Sequence, residues 1–448
     1  MFDLLIIISR YLFVIYIAVF LYNGTAYLLD EAGLTRHSHR RSIFTCRTMT
    51  ALMHITAFLI LSYDRQAITY SIPYLLIGAA GFVFIIMSNF VAEKVYKGGC
   101  PLIWNCVIFL LDTGIIMLVR LNFPLAVRQL VWICVGFFVT MWIPVFVKMV
   151  PKFEKLESVY IILSFMLIIS TLVLGSKEYG SRNWIHMGKL SFQPSEIVKF
   201  LYIFYLASVF RKKVNLKEFI ITAFLSALLV ILLVFQKDLG SALIFFMTYM
   251  VMLYISTSNE LLFFSGIGAL SVGSVIAYRL FSHVRVRVAA WKDPWADIDS
   301  GGYQICQSLF AIGTGGIFGS GLTRGMPLSI PVVSKDFIFA AICEEFGTIY
   351  AICLIGVFML LFIRGMMIAF QCRRRYYSII AAGFTAMMAF QTFLIIGGVI
   401  KLIPLTGVTL PFVSYGGTSI LVSILAVSFI QWVNGYQKAS EGNEVPNT

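Results

Sequence analysis

Three stretches set charge into an otherwise apolar chain of 448 residues, and they hold the side chains best suited to chemistry. In GSRNWIHMGKLSFQPSEIVK (180–199), Glu196 and Lys199 stand three residues apart, a spacing that makes them neighbours on a helix and lets them pair. Each charge costs about 2.5–3.5 kcal/mol near a bilayer centre, and pairing offsets part of that while orienting both groups. Two readings are open: an ion pair locking helices, or a pair lining a polar cavity. Asp238 in QKDLGSAL (236–243) ends an apolar run and by itself reads as a helix cap. In KDFIFAAICEEFG (335–347), Asp336 stands at the first turn of an expected helix, where free N–H groups and the macrodipole favour a carboxylate. Glu344 and Glu345 follow in the same run. At about 100° per residue, Glu344 is placed to share a cavity with Asp336, and Glu345 to pair with another helix. Intramembrane charges of this kind serve a catalytic site or mark a substrate path.

Two further stretches carry turn chemistry. IPLTGVTLPFVSYGGTS (403–419) combines helix-breaking prolines with the hydroxyls of Ser414 and Tyr415. GTGGIFGSGLTRG (313–325) looks like a phosphate-cradling loop, but it lacks the Walker Lys-Ser/Thr pair and a preceding strand. Tight turns of re-entrant backbone lining a cavity fit it better. The five histidines and eight cysteines show no ligand spacing, so neither a metal site nor a disulfide framework is read.

These residues must be positioned by membrane helices. The chain is 60% hydrophobic and 12% charged, with mean hydropathy +0.90, whereas soluble domains carry about 25% charged residues. The fold class is an all-α polytopic membrane protein. Apolar runs long enough to cross recur about thirteen times, one of them at 337–363. The first is read as a retained helix rather than a cleaved signal. Basic linkers at 36–41, 93–99, 152–155, 211–217 and 373–375 fall on one side, which positive-inside makes cytoplasmic, with the amino terminus outside and the carboxyl terminus inside. The net charge of +13 therefore reflects topology and lipid headgroups, and no nucleic-acid partner is expected. The opposite side receives 176–195, 236–238, 402–416 and a long loop at 282–336 with room for short re-entrant helices. Residues 438–448 read as a disordered cytoplasmic tail.

Together with DPWADIDSGGYQICQSLFAIGTGGIFGSGL (293–322) and LIPLTGVTLPFVSYGGTS (402–419), the three charged stretches occur in an order that resembles the SEDS family, whose members include FtsW, RodA and SpoVE. The likeness covers roughly residues 100 to 436. It implies a SEDS-type ten-helix bundle (99–437), preceded here by about three extra transmembrane helices (1–98) and followed by the tail (438–448). The implied activity is peptidoglycan glycosyltransfer at the outer face of the bacterial cytoplasmic membrane. Lipid II units are joined by β-1,4 linkage to a nascent glycan strand, and undecaprenyl pyrophosphate leaves. The implied partner is a class B penicillin-binding protein, a transpeptidase. The alternatives are a lipid II flippase, which calls for polar residues at the inner face, and an inactive scaffold. By resemblance Asp336 is the catalytic base, and Arg182, Trp184, Glu196, Lys199, Asp238, Lys335 and Ser414 bind substrate. Gln193, Glu344 and Glu345 shape the cavity. The family commonly has Thr where this chain has Lys335, a cation expected to depress the Asp336 pKa or to touch pyrophosphate. The resemblance requires no cofactor; pyrophosphate invites a divalent cation, Mg or Mn.

Overall fold

Backbone amides removed from water must bond within their own segment, and the long apolar runs do so as α-helices. The computed structural model describes residues 2–64, 67–150, 153–178, 181–187, 190–212 and 215–444. Three helices come first: α1 (Phe2–Glu31), α2 (His39–Leu61) and α3 (Ile72–Val95), with a short hairpin β1 (Tyr63–Asp64) and β2 (Thr69–Tyr70) between the last two. Then follow α4 (Pro101–Leu121), α5 (Phe123–Thr140), the short α6 (Ile143–Met149) and α7 (Glu157–Leu174). An antiparallel sheet, β3 (Ser176–Glu178), β4 (Ser181–Met187) and β5 (Leu190–Phe192), leads into α8 (Pro194–Phe210), α9 (Leu216–Phe235), α10 (Leu239–Thr257) and α11 (Glu260–Leu280). Short helices α12 (Ser282–Lys292), α13 (Tyr303–Gly315) and α14 (Ile338–Phe346) precede α15 (Thr348–Gln371), α16 (Arg375–Val399) and α17 (Gly417–Glu444).

Among the described residues twelve helices are long and apolar enough to cross a membrane, and α8, at 17 residues, is a thirteenth of nearly that length. Ten of the thirteen follow residue 99, in keeping with the expected three-plus-ten arrangement. Caps account for several boundaries. Asn215 and Glu218 form a reciprocal capping box at α9, and Pro194 occupies the first turn of α8 with Glu196 beside it.

Four local expectations are corrected. The run 337–363 is not one span, because Gly347 adopts φ +91° and separates α14 from α15. A side chain there would meet the Gly319 amide at 2.4 Å, so only glycine allows the two segments to cross so closely. Helix α2 takes in half of the basic linker, since Ser38 caps it by accepting from the Arg41 amide. Helix α17 continues to Glu444 through the first part of the expected tail, where Gln437 donates to Glu441 one turn on at 2.7 Å; residues 445–448 lie outside the described residues. The stretch 176–192 holds strands where a loop was read.

One end of the bundle gathers the sheet, the turn at 236–238, the α12–α13 segment and the 400–416 loop, with Asn183 bonded to Asp238 and Arg287 to Thr406. The basic linkers meet at the other end, where Glu154 receives both Arg211 and Arg374 at 3.1 Å. Helix α4 is buried along its apolar length. It is wrapped by α2, α3, α5 and α15, and α1 packs on α2 and α15. Polar ties reinforce this. His54 of α2 bonds Asp112 of α4 at 2.5 Å and the Gly78 carbonyl of α3 at 2.8 Å, and Arg364 of α15 pairs with Glu31 of α1 at 2.6 Å. His54, which the sequence left without a role, is the buried hub of three helices.

Candidate active site

Five separated segments enclose a cavity of about 360 Å³ at the end opposite the basic linkers. The sheet and the residue after it contribute Asn183, Trp184 and Gln193, and Glu196 follows from α8. The cap of α10 contributes Asp238, α12 contributes Arg287, and the turn before α14 contributes Lys335 and Asp336. The 405–409 loop closes one wall.

Asp238 is more than a cap. Its Oδ1 accepts from the Ser241 amide at 3.0 Å; its Oδ2 accepts from Ser241 Oγ at 2.9 Å, Asn183 at 3.1 Å and Gln193 at 3.3 Å. One buried carboxylate thus fixes the sheet and the α8 entry against α10, and the charge-assisted bonds that do so are the strong kind.

Asp336 lies ahead of α14, whose cap position is Phe337, and so not in a first helical turn as expected. Its amide and that of Lys335 both donate to the Val332 carbonyl, at 3.3 and 3.0 Å. Val332 holds φ +56°, an unfavourable conformation for a β-branched residue and one found where a turn is over-determined. Burial pushes the Asp336 carboxyl up to about 6; Lys335 and Arg287 pull the other way without cancelling it. The expected depression by Lys335 is therefore outweighed by desolvation. Lys335 instead lays its Nζ 5.2 Å from the centroid of the Trp184 ring, within cation–π reach.

Glu196 and Lys199 are both buried and pair at 2.8 Å. Lys199 also donates to Gln391 of α16 at 2.9 Å, and Gln391 donates to the Thr409 carbonyl at 2.8 Å. Of the pair only Glu196 lines the cavity: the pair locks α8 to α16, and Glu196 alone also faces the polar space.

Ser414 does not line the cavity. Its buried hydroxyl donates to the Lys335 carbonyl at 2.5 Å and accepts from the Leu410 amide at 3.0 Å. It staples the 410–416 loop to the turn that carries Asp336. Glu344 is also away from the cavity, accepting from the Met326 amide at 2.7 Å. The shared cavity with Asp336 is thus corrected: the break before α14 turns Glu344 toward the glycine-rich loop. Glu345 pairs with Arg120 of α4 at 2.8 Å, as a partner on another helix required. Arg120 in turn bonds the Gly325 carbonyl at 3.0 Å. The backbone of Arg182 belongs to β4; its side chain lies outside the described residues.

Arg287 was missed. It donates to the Thr406 carbonyl at 3.0 Å. Burial lowers its pKa while Asp238 and Asp336 raise it, and a guanidinium stays charged at neutral pH. The only sequence signal was the RVR at 285–287, inside the outer-side loop read as having room for short re-entrant helices. Among the described residues no group of three or more His, Cys, Asp or Glu side chains is gathered to hold a metal. Asp238 already accepts four hydrogen bonds, and Lys335 and Arg287 act on Asp336 as positive charges. The described residues of the cavity thus supply at most part of a divalent cation's shell, and pyrophosphate oxygens would complete it.

Comparison with known proteins adds a family. Residues 102–439 match the FtsW/RodA/SpoVE model, described as a cell cycle protein. The chain is 32% identical over 359 residues to peptidoglycan glycosyltransferase RodA of Mycobacterium tuberculosis, covering 74% of this chain and 76% of that one. To the probable peptidoglycan glycosyltransferase FtsW of Coxiella burnetii it is 34% identical over 351 residues, or 72% and 93% of the two chains. Among solved structures it resembles a chain of a peptidoglycan synthase complex, with TM-score 0.64 and 25% identity over 75% of this chain and 97% of that one. Thermus thermophilus RodA shares the fold, with TM-score 0.56 and 24% identity over 74% and 95%.

Proposed function

Because the chain belongs to the FtsW/RodA/SpoVE (SEDS) family and is a peptidoglycan glycosyltransferase, we propose that the cavity around Asp336 is where lipid II units are joined, with Asp336 as the base. The observation that carries this reading is the convergence of a partly buried carboxylate, two cations and an aromatic ring from separate segments on one cavity.

In the proposed reaction, the 4-hydroxyl of an acceptor GlcNAc attacks the anomeric carbon of the donor MurNAc. Asp336 takes the hydroxyl proton as the new C–O bond forms, and the bond to the polyprenyl pyrophosphate breaks. A carboxylate with a pKa near 6 is a better base than an unperturbed one and still ionised at neutral pH; such general-base catalysis contributes about 10²–10⁴-fold. Arg287 and Lys335 meet the negative charge of the leaving pyrophosphate, the guanidinium with a two-pronged fork. Trp184 offers a face to a sugar ring. Arg182 stands in the same strand for sugar or phosphate. A Mg or Mn ion, where used, arrives with the pyrophosphate.

The basic end is inferred to be cytoplasmic, which places both this cavity and the amino terminus outside. A class B penicillin-binding protein is inferred as partner, supported by the likeness to a chain of a synthase complex. Neither the flippase nor the scaffold reading is favoured.

The test is polymerisation of labelled lipid II by the purified chain with its transpeptidase partner, glycan strands being resolved on a gel. Wild type is expected to make polymer, and an Asp336→Asn protein with an unchanged melting curve none. Polymer at the wild-type rate from the variant would remove Asp336 from the role.

A further inference from the structure

At the basic end, the three helices that precede the family match enclose, with the start of α4, a second cavity of about 750 Å³. His39, Arg40, Arg41 and Arg47 line it against a single acid, Glu93. Arg47 is held by Glu93 at 2.5 Å and by Asn105, and His39 sits against Asp30. Arg40 and Arg41 are exposed and form no ion pair among the described residues.

Helix stability does not explain two cations in the first turn of α2, since they oppose its macrodipole. Topology does not explain them either: arginines anywhere on this end would serve, and no cavity is needed. Apart from Ser38 the rest of the lining is largely apolar, with Tyr27, Ile43 and Pro101 on the floor and Phe44, 70% exposed, at the rim. Guanidinium groups above an apolar floor, at the end of a membrane helix, match a phosphodiester that carries acyl chains.

We propose that this cavity binds an anionic phospholipid, its phosphate on Arg40 and Arg41 and an acyl chain over Ile43 and Phe44. Inorganic phosphate or an acidic protein segment would answer the charge but leave the apolar floor uncovered.

Native mass spectrometry of the full-length protein decides it, after incubation with phosphatidylglycerol, with phosphatidylcholine, or with inorganic phosphate alone. Wild type is expected to retain one phosphatidylglycerol in preference to phosphatidylcholine. Each surface arginine adds about 1 kcal/mol of attraction, or roughly fivefold, so Arg40→Gln with Arg41→Gln is expected to lower retention about 25-fold. Lys148→Gln with Lys155→Gln, removing equal charge at the same end, is expected to leave it unchanged. If the double arginine variant does not fold, the single variants decide by their fivefold steps. Equal retention by all variants, no preference over phosphatidylcholine, or displacement of lipid by inorganic phosphate overturns the proposal.

Discussion

Asp336 and Arg287 converge on one glycine: a β-carbon at Gly407 would stand 3.7 Å from Asp336 Oδ2 and 3.7 Å from Arg287 Nη2. Carboxylate and guanidinium therefore share a wall formed by a residue at φ +74°, where glycine is favoured. In the proposed reaction the base therefore stands beside the cation that meets the leaving group, so the two roles would be interdependent, and pH is the variable that reads the coupling.

Glycan polymerisation is expected to rise with pH through about 6 and level off above it, because Asp336, pushed up to about 6, accepts a proton only when ionised. Lys335 lowers that value, so Lys335→Met should move the acidic limb to higher pH. Initial rates between about pH 5 and 8 check this; a limb that stays in place in the variant would mean that Asp336 is not the titrating group.

Arg287→Ala should cost about 10²-fold in rate or more, the scale seen when one preorganised charge-stabilising donor is lost. Arg287→Lys should recover only part of it, since an ammonium lacks the planar fork. Full recovery in the lysine variant would argue for simple charge in place of two-pronged recognition.

Ser414→Ala should act on stability. Its hydroxyl both donates and accepts inside the protein, and leaving such partners unmet costs about 1–3 kcal/mol. A lower melting temperature with an unchanged KM for lipid II is expected; a raised KM at unchanged stability would return Ser414 to the cavity.

Lys199→Met strands Glu196 in the interior and should cost about 3–5 kcal/mol, whereas Glu196→Gln with Lys199→Met should recover much of it. Thermal melts of the two single variants and the double variant in one detergent provide the cycle. Additive losses would show that the contact at 2.8 Å carries no coupling.

What the sequence displayed, and what it concealed, follows from the range of each interaction. Glu196 and Lys199 were legible as a pair because one helical turn joins them. Glu345 was legible because its angle sent it to a neighbouring helix. Ser414 was misplaced since its partners, Lys335 and Leu410, are set by how two loops meet. Arg287 went unnoticed because a short helix between two spans aims it, and nothing in RVR announces that aim. Asp336 was judged by its charged neighbour, when burial by segments distant in sequence decides its proton affinity. The break at Gly347 was hidden in an unbroken apolar run, since only the close approach of Gly319 requires it.

Helix α4 has no face left for lipid, and that frees its sequence from the composition a bilayer imposes. Asn105, Asp112 and Thr113 are all buried within it, answerable to protein alone. The consequence is one of assembly order. An aspartate whose partner histidine sits on α2 costs about 2.5–3.5 kcal/mol if it meets acyl chains in place of that partner. The first three helices are synthesised before it, and two of them, α2 and α3, pack directly against it. A chain begun at residue 99 would leave Asp112 without His54 and uncover the sides of α4 that α2 and α3 now pack against, so the segment ahead of the family region completes the environment of the first family helix.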